Sequence, residues 1–357
     1  MAKENITIKD IAARAGVSTG TVDRVLHNRP NVSKVALDKV NKALEELDYR
    51  PNMYASALAY NKEYTFYCVL PKHEQDAYWD EIEEGAMACT EFRRDFGIKL
   101  KFMYYERFNA AAFTRMVHEF LTEKFDGVII VPTTLEQTAR FTEKLQQRMI
   151  PYVLLDSYMP DLKPLTFFGQ DSFASGYFAA KMLMLIANKE KEIALMKQTR
   201  DGRVGSKQQA NRETGFRHYM VDHYPDIKIT EVDLPLDEDM KKEDYDTILE
   251  KFFKEHPLVH HCITFNSKAH LVGEFLEKSN RRDIQIMGYD MVQKNVDCIH
   301  HGSISFLIAQ HAYQQGYASV DALFNAIVMK RAVNPVNYMP IEILTKENVD
   351  FYRRTAI

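Results

Sequence analysis

From Tyr64 onward, short apolar runs alternate with helical stretches, and this alternation limits the possible folds more than any other feature of the sequence. Ten such runs follow one another: FYCVL, IKLKFMYY, GVIIVP, PYVLLD, TFFG, KEIALM, IKITEVDL, HHCITF, IQIMGY and SISFLI. Strands that alternate with helices form parallel sheets covered by helices on both faces. Ten strands are too many for one compact core, so the pattern predicts two similar lobes.

Between these runs, apolar residues have the spacing of helices. The clearest helical segments are residues 79–95, 110–124, 136–148, 173–188 and 208–222. We therefore expect an α/β domain of two lobes, each built on a doubly wound parallel sheet.

The first sixty residues have a different pattern, that of short helices joined by tight turns. Thr7 and Asp10 fit the N-cap and N3 positions of a capping box, and Gly16 can end that helix in the left-handed conformation. Ser18 and Ser33 fit the N-caps of a second and a third helix. Two short helices that meet at a Gly-containing turn, braced by a third, form a helix-turn-helix layout.

These patterns divide the chain into three parts. Residues 1–52 form an all-α helix-turn-helix head, residues 53–63 a short connector, and residues 64–357 the α/β domain. Residues 1–62 hold ten Lys/Arg and seven Asp/Glu, a net charge of +3, whereas the whole chain has a net charge of −4. A basic head on an acidic body indicates a nucleic-acid partner, although ordinary solvated surface has the same composition.

The second helix begins with small residues that are poor helix formers. Thr19, Gly20 and Thr21 would let its backbone approach base edges in a major groove, where Thr methyl groups can contact thymine. Arg24, one turn further on, can reach a guanine with two hydrogen bonds. Ser33, at the start of the third helix, suits a phosphate. A plain three-helix bundle with a polar surface is the alternative interpretation.

Residues 6–59, "ITIKDIAARAGVSTGTVDRVLHNRPNVSKVALDKVNKALEELDYRPNMYASALA", resemble the DNA-binding head of the lactose-repressor/galactose-repressor family of bacterial transcription regulators, with no gap. The rest of the chain resembles the effector domain of this family more diffusely. The resemblance implies a two-lobed domain like that of periplasmic binding proteins. It also implies a homodimer that binds a near-palindromic DNA operator and responds to a small molecule.

The resemblance assigns roles to individual residues of the head. It implies base recognition by Thr19, Gly20 and Arg24, with His27 and Asn31 beside them, and phosphate contacts by Ser18, Thr21 and Ser33. In this family the connector folds into a hinge helix on the operator. The resemblance then places Leu58 as a wedge in the minor groove, with Ala55 packed beside it. The alternative for Leu58 is an ordinary buried linker residue.

Two departures from the family pattern concern the same helix. Members of the family often have a larger residue where Thr19 or Gly20 stands, so the bases contacted here are expected to differ. Asp23 replaces the commoner Ser before the arginine. A carboxylate so close to phosphates is unfavourable unless it faces away or pairs with Arg24 or Arg29.

Ligands of open α/β sheets bind outside the carboxyl ends of the strands. Polar and aromatic residues follow several of the apolar runs, and Arg212 lies early in a helix; together they are Tyr78, Trp79, Thr133, Asp156, Arg212, Asn266, Asp290 and Gln310. Carboxylates accept hydrogen bonds from hydroxyl groups, Arg donates in a fork, and an aromatic ring covers the apolar face of a pyranose. The set therefore predicts a site for a sugar or a sugar derivative. The family resemblance implies effector contacts by Asp156, Arg212, Asn266, Asp290 and Gln310, and it places Tyr78 and Trp79 near the mouth of the cleft.

Each of these residues also has a structural alternative. Asp156 and Asp290 are compatible with helix caps or braces between the lobes, and Asn266 with the cap of a helix that starts at Ser267. Gln310 fits a hinge and Trp79 a core position. The remaining alternative is an ion pair of Arg212 with Glu213 or Glu84.

Other functional classes find little support in the sequence. No apolar run is long enough for a membrane helix, and the first residues lack the apolar segment of a signal peptide, so we expect a cytoplasmic protein without a membrane partner. No catalytic constellation, cofactor motif or metal-ligand spacing is present, and we expect no cofactor, no metal and no enzymatic activity. The interpretation is a ligand-responsive transcription regulator. The alternative is a sugar-binding protein or sugar-acting enzyme with an incidental helical head.

Overall fold

The chain forms two compact units, Met1–Asn61 and Lys62–Ile357. The computed structural model describes residues 6–26, 30, 32–47, 62–73, 78–107, 109–200, 203–204, 206–236 and 240–352.

The described part of the small unit contains three helices: α1 (Ile8–Ala15), α2 (Thr19–Leu26) and α3 (Lys34–Glu46). The predicted capping box is confirmed, because the Thr7 side chain accepts from the Asp10 amide while the Asp10 carboxylate accepts from the Thr7 amide at 2.7 Å. Gly16 ends α1 with φ of +64°, as predicted. The three helices share an apolar core of Ile11, Ala12, Ala15, Val22, Val25, Val40 and Ala43.

Thirteen strands are found among the described residues of the large unit. They are β1 (Tyr64–Pro71), β2 (Ile98–Tyr105), β3 (Gly127–Ile130), β4 (Tyr152–Leu155), β5 (Thr166–Gly169), β6 (Glu192–Arg200), β7 (Arg203–Val204), β8 (Lys228–Pro235), β9 (His261–Ile263), β10 (Gln285–Tyr289), β11 (Ile304–Ala309), β12 (Val336–Tyr338) and β13 (Glu342–Leu344). All ten predicted strands are confirmed, and the three additional strands β7, β12 and β13 are two or three residues long.

The described part of this unit also contains nine α-helices. They are α4 (Tyr78–Phe92), α5 (Ala110–Phe120), α6 (Leu135–Gln147), α7 (Ser172–Ile186), α8 (Lys207–His223), α9 (Lys242–Glu255), α10 (His270–Lys278), α11 (Gln293–His301) and α12 (Ala312–Leu323). Among the described residues, no helix combines the length and the apolar character that crossing a bilayer requires.

The strands form two sheets, one for each predicted lobe. The first sheet has the order β12-β5-β4-β3-β1-β2, and all its neighbours are parallel. The second has the order β13-β11-β10-β9-β6-β7, with β8 also paired to β6. Only the short strands β7 and β13 are antiparallel to their neighbours. The central strands are buried on both faces, which explains their continuous apolar sequences.

The chain passes between the two sheets after β5, after β11, and between β12 and β13. One side chain connects these crossing segments: the Gln170 amide nitrogen donates to the carbonyl oxygens of Ala309 at 3.0 Å and Pro340 at 2.7 Å. Its amide oxygen accepts from Ser175 at 2.9 Å. Gln170 is 3% exposed, so these buried hydrogen bonds link the three crossings directly.

Helices α7 and α8 pack unusually closely in the second lobe. A Cβ atom at Gly176 would lie 1.9 Å from the carbonyl oxygen of Arg212, and one at Gly215 would lie 2.1 Å from that of Phe173. Only glycine permits this approach of two backbones. The contact fixes the position along α8 from which the Arg212 side chain extends.

Candidate functional site

The start of α2 presents polar residues outward from the small unit. Ser18, Thr19 and Gly20 are exposed, whereas Val22 and Val25 are buried in the core. The Ser18 hydroxyl accepts from the Thr21 amide at 3.1 Å, which makes it the N-cap of the helix. The Ser18 cap therefore stabilises the first turn of α2, and the outer face of this turn is exposed to solvent.

Among the described residues, none packs closely against Gly20. A Cβ atom there would meet only the Ser18 hydroxyl oxygen, at 3.9 Å. Glycine in a helix costs roughly 0.5–1 kcal/mol relative to alanine. At Gly20 the head therefore has a residue that stabilises the helix less than alanine would, although the exposed position has room for an alanine methyl group.

The other predicted contacts of the head are distributed as follows. Arg24 is exposed on α2, and Ser33 is exposed while its hydroxyl accepts from the Ala36 amide at 3.2 Å as the N-cap of α3. Four predicted residues lie outside the described residues: His27, Asn31, Ala55 and Leu58. Their roles stay predictions.

In the large unit, a cavity of about 400 Å³ lies at the carboxyl ends of strands from both sheets. It is lined by seven of the eight predicted ligand residues: Tyr78, Trp79, Asp156, Arg212, Asn266, Asp290 and Gln310. Thr133 is not among its lining residues; its amide donates to the Thr138 hydroxyl at 3.1 Å, at the start of α6.

Arg212 is fully enclosed by the cavity wall, with 2% of its surface exposed. One terminal nitrogen donates to the Phe265 carbonyl at 2.9 Å and the other donates to the Gln310 amide oxygen. The guanidinium lies over the Tyr289 ring, 4.0 Å from its centroid. The suggested pair with Glu213 is not formed, because that carboxylate contacts Lys197 and Arg217.

Asp156 and Asp290 occupy equivalent places in the two lobes. Each directly follows a central strand, β4 or β10, and each has a left-handed backbone, with φ of 67° and 72°. Non-glycine residues in this conformation are uncommon and occur often at functional sites. Burial raises the pKa of both carboxyl groups, that of Asp290 to about 6, and the Arg212 charge opposes the rise.

A chain of side-chain amides connects the Asp290 carboxyl group with the main chain at Asp156. The Gln310 amide nitrogen donates to the Asp290 carboxylate at 2.5 Å, and Gln208 donates to the Gln310 amide oxygen at 3.0 Å and to the Asp156 carbonyl at 3.3 Å. Gln310 directly follows β11, at the second crossing. It therefore occupies the suggested hinge position and the cavity wall at once.

The aromatic wall comes from the start of α4. The rings of Tyr78 and Trp79 meet edge to face, with centroids 5.0 Å apart. The Tyr78 hydroxyl accepts from Gln315 at 3.0 Å, and the Arg107 guanidinium lies 5.7 Å from the Trp79 ring centroid. Trp79 is half-buried and lines the cavity, so it does not belong to the core alone.

Among the described residues, Asn266 has three hydrogen-bonding neighbours, one of which is the Thr264 hydroxyl, which donates to its side-chain oxygen at 3.4 Å. Its side-chain oxygen accepts from the Lys268 amide at 3.0 Å, and its nitrogen lies 3.5 Å from the Gln209 amide oxygen. The suggested cap of a helix at Ser267 is replaced by this local turn, since α10 begins at His270.

Several lining residues were missed by the sequence analysis. They are mainly amides, hydroxyls and cations: Lys72, His73, Arg107, Gln198, Thr199, Ser206, Gln208, Gln209, Lys268, His270 and Lys294. Gln198 and Thr199 lie near the carboxyl end of β6, beyond the apolar run KEIALM. The same search for polar residues after apolar runs, extended by three positions, would have found both.

Two family descriptions match the chain. Residues 7–52 match "Bacterial regulatory proteins, lacI family", and residues 66–331 match "Periplasmic binding protein domain". A solved structure assigned as a LacI transcriptional regulator from Bacteroides fragilis is 41% identical, with a TM-score of 0.78, and the alignment covers 82% of this chain and 100% of that one.

Two further proteins are similar to the chain at lower identity. The HTH-type transcriptional repressor PurR of Vibrio atlanticus is 26% identical over 302 residues, which cover 80% of this chain and 82% of the repressor. GanP, a glucose-galactose binding protein from Geobacillus stearothermophilus, is 21% identical with a TM-score of 0.68, covering 81% of this chain and 99% of that one, and this likeness concerns the fold alone. The chain belongs to the LacI family of bacterial regulators and is a ligand-responsive transcription regulator with a helix-turn-helix head and a periplasmic-binding-protein-like effector domain.

Proposed function

We propose that the protein binds a near-palindromic operator as a homodimer, and that a sugar or sugar derivative in the cavity changes its affinity for DNA. Two heads on two half-sites give a small DNA-binding unit the contact area that one head lacks. The exposed start of α2 supports the DNA part of the proposal, because no residue in the described part of the head packs closely against Gly20.

The polar groups of the cavity support a ligand with many hydroxyl groups. The Asp156 and Asp290 carboxylates are acceptors, and the amides of Gln208, Asn266 and Gln310 offer both donors and acceptors. Among the described residues, the Nε atom of Arg212 has no hydrogen-bond partner. A sugar hydroxyl can accept from this nitrogen, and Trp79 offers a surface for the C–H face of a pyranose ring.

The connection between ligand and DNA rests on the crossing segments. Gln310 contacts Asp290 in the cavity, and the main chain beside it, at Ala309, is bound by Gln170. A ligand that draws the two lobes together therefore acts on the same segments that join them. Movement of the first lobes of a dimer relative to each other would then change the spacing of the heads, which couples two distinct sites.

The DNA part is tested by selecting duplexes from a random pool with the full-length protein and measuring affinity by fluorescence anisotropy. Arg24→Ala is expected to weaken binding to the selected duplex by about 1–3 kcal/mol and to reduce the sequence specificity at one base position. Lys42→Ala is the matched control, because it removes an exposed positive charge from α3. Equal affinities of the Arg24 variant and wild type for the selected site would contradict the assigned role.

The ligand part is tested on the same preparation by titrating sugars and sugar derivatives and following Trp79 fluorescence, since the chain has one tryptophan. A compound that saturates the signal is then added to the protein–duplex complex. A change in duplex affinity is expected. Saturable binding with no change of DNA affinity would refute the coupling. Sedimentation velocity of the free protein and of its complex tests the homodimer.

A further inference from the structure

The geometry points to an anionic sugar derivative as the ligand, with its acidic group held by Lys268 and Lys294 on the second-lobe wall of the cavity. This inference rests on the proposed function and narrows it from sugars in general to sugar acids and sugar phosphates. Both classes share a polyhydroxylated body and one anionic group, which correspond to two different parts of the cavity wall.

The charges around the cavity are unequal. Among the described residues, its lining includes five cationic side chains: Lys72, Arg107, Arg212, Lys268 and Lys294. The carboxylates in the same lining are Asp156 and Asp290, both within the electrostatic influence of Arg212. Lys72 is also paired with Glu106, at 3.1 Å. Even with Lys72 set aside, the lining has more positive than negative charge, which favours an anion in a concave site.

Lys268 and Lys294 act on one part of the wall. Burial lowers the pKa of His270 to about 4, and the positive charges of Lys268 and Lys294 contribute to the same shift, against a hydrogen bond with Asn295 and the charge of Glu274. The Glu274 carboxylate is paired with Lys242. His270 is therefore neutral at physiological pH, and the positive charge of this wall comes from the two exposed lysines.

The backbone at this wall adds to the positive potential. Helices α10 and α11 both begin here, because His270 opens α10 and Val292 is the N-cap of α11. Neither helix has an acidic residue in its first turn, and the N-cap residues Ala269 and Val292 make no side-chain cap bond. The neutral Asn295 side chain accepts from the His270 amide at 2.8 Å instead. The positive ends of two helix dipoles thus coincide with two lysines, where acidic residues would ordinarily be favourable.

A buried donor in the same cavity lacks a partner. Gln198 is 1% exposed, and its amide oxygen accepts from the Thr264 hydroxyl at 2.5 Å. Its amide nitrogen has no hydrogen-bond partner among the described residues. A buried N–H group without an acceptor is costly, and a ligand oxygen supplies the missing acceptor.

The test is isothermal titration calorimetry of the full-length protein with sets of compounds that share a carbon skeleton. The sets are glucose, glucuronate and glucose-6-phosphate, and galactose, galacturonate and galactose-6-phosphate. We expect at least one anionic member to bind about tenfold or more tightly than its neutral parent, because charge-assisted hydrogen bonds are the stronger ones. Preference for the uronate or for the phosphate identifies the source of the negative charge.

Lys268→Met and Lys294→Met locate the anion. Each variant is expected to bind the preferred anionic compound about tenfold more weakly than wild type does. Its affinity for the neutral parent should stay within about twofold of the wild-type value. Lys251→Met, which removes an exposed lysine of α9 outside the cavity lining, is the control and should change neither. Equal weakening of neutral and anionic compounds by the two cavity variants would overturn the assignment.

Two results would overturn the inference and leave the proposed function intact. One is a neutral sugar that binds as tightly as its acidic counterparts, and the other is the absence of binding by every anionic member. Binding of the selected duplex by the same preparation shows that the regulator itself is intact. Failure to select any duplex would contradict the proposed function instead, whatever the calorimetry gives.

Discussion

The buried carboxylate of Asp290 is expected to destabilise the ligand-free protein at neutral pH. Burial raises its pKa to about 6, against the opposing effects of Arg212 and Gln310. Because this folded-state pKa is raised above the unfolded value of about 3.9, the stabilising contribution is fully present below the unfolded pKa and is lost as pH rises through the folded pKa. At about 1.36 kcal/mol per pKa unit, the ionised group costs roughly 3 kcal/mol above pH 7.

Asp290→Asn removes this cost with little change of shape. The Asn side-chain oxygen can accept from Gln310 as the carboxylate does, and Asn tolerates the left-handed backbone, with φ of 72°. We expect a stability gain of up to about 3 kcal/mol near pH 8. Near pH 5 the wild-type carboxyl group is mostly protonated, so the gain should be smaller by about 1.4 kcal/mol. Ligand affinity should fall, because a charged acceptor is lost.

The measurement is urea unfolding followed by the fluorescence of Trp79, the single tryptophan, which reports on the large unit. Asp161→Asn, at an exposed aspartate outside the cavity, is the matched control. The difference between variant and wild type is compared at both pH values, so that other titrating groups cancel. A gain that does not change with pH, or a loss of stability near pH 8, would refute the reasoning.

Three other substitutions have expected outcomes. Gly20→Ala should stabilise the head by about 0.5–1 kcal/mol in thermal unfolding and should weaken binding to the selected duplex in the anisotropy assay. Tighter duplex binding would contradict a close approach of the α2 backbone to DNA. Gly176→Ala, the same change in the α7–α8 contact, should destabilise the large unit by about 1–3 kcal/mol or more, because its Cβ would lie 1.9 Å from the Arg212 carbonyl oxygen. Unchanged urea unfolding would disprove the clash. Gln170→Leu removes the two hydrogen bonds to Ala309 and Pro340 and should cost about 1–3 kcal/mol in the same assay, and a loss below about 0.3 kcal/mol would count against its linking role.

The central strands could be predicted because burial on both faces leaves a continuous apolar sequence. The short strands β7, β12 and β13 could not: β12, for example, is half-exposed and three residues long, and it pairs with β5 from a position far along the chain. Its sequence, VNY, has no pattern that distinguishes it from a loop. The pairing depends on the return of α12 to the first lobe, which is a tertiary property.

The cavity was predicted best where a polar residue directly follows a strand, as at Asp156 and Asp290. Thr133 also follows a strand, yet it does not line the cavity, and its amide donates to the Thr138 hydroxyl in α6. Position after a strand therefore identifies candidates without showing which way they face. Lys294 lies beyond the reach of the rule, because it is brought to the wall by the first turn of α11.

The three crossings have a consequence for how the protein is made. The first lobe consists of residues 64–169 together with α12 and β12, so its sheet includes Val336–Tyr338 and its helix α4 packs against Ala312–Leu323. During synthesis this lobe begins to emerge before the second lobe, but it can be completed only after the second lobe has been translated almost in full. Until then, the β5 edge of the first-lobe sheet is unpaired and the face of α4 that packs against α12 is uncovered. The glycines at the α4–α12 contact, where a Cβ at Gly85 would lie 1.9 Å from the Tyr313 carbonyl, provide the tight surface onto which the late-arriving helix packs.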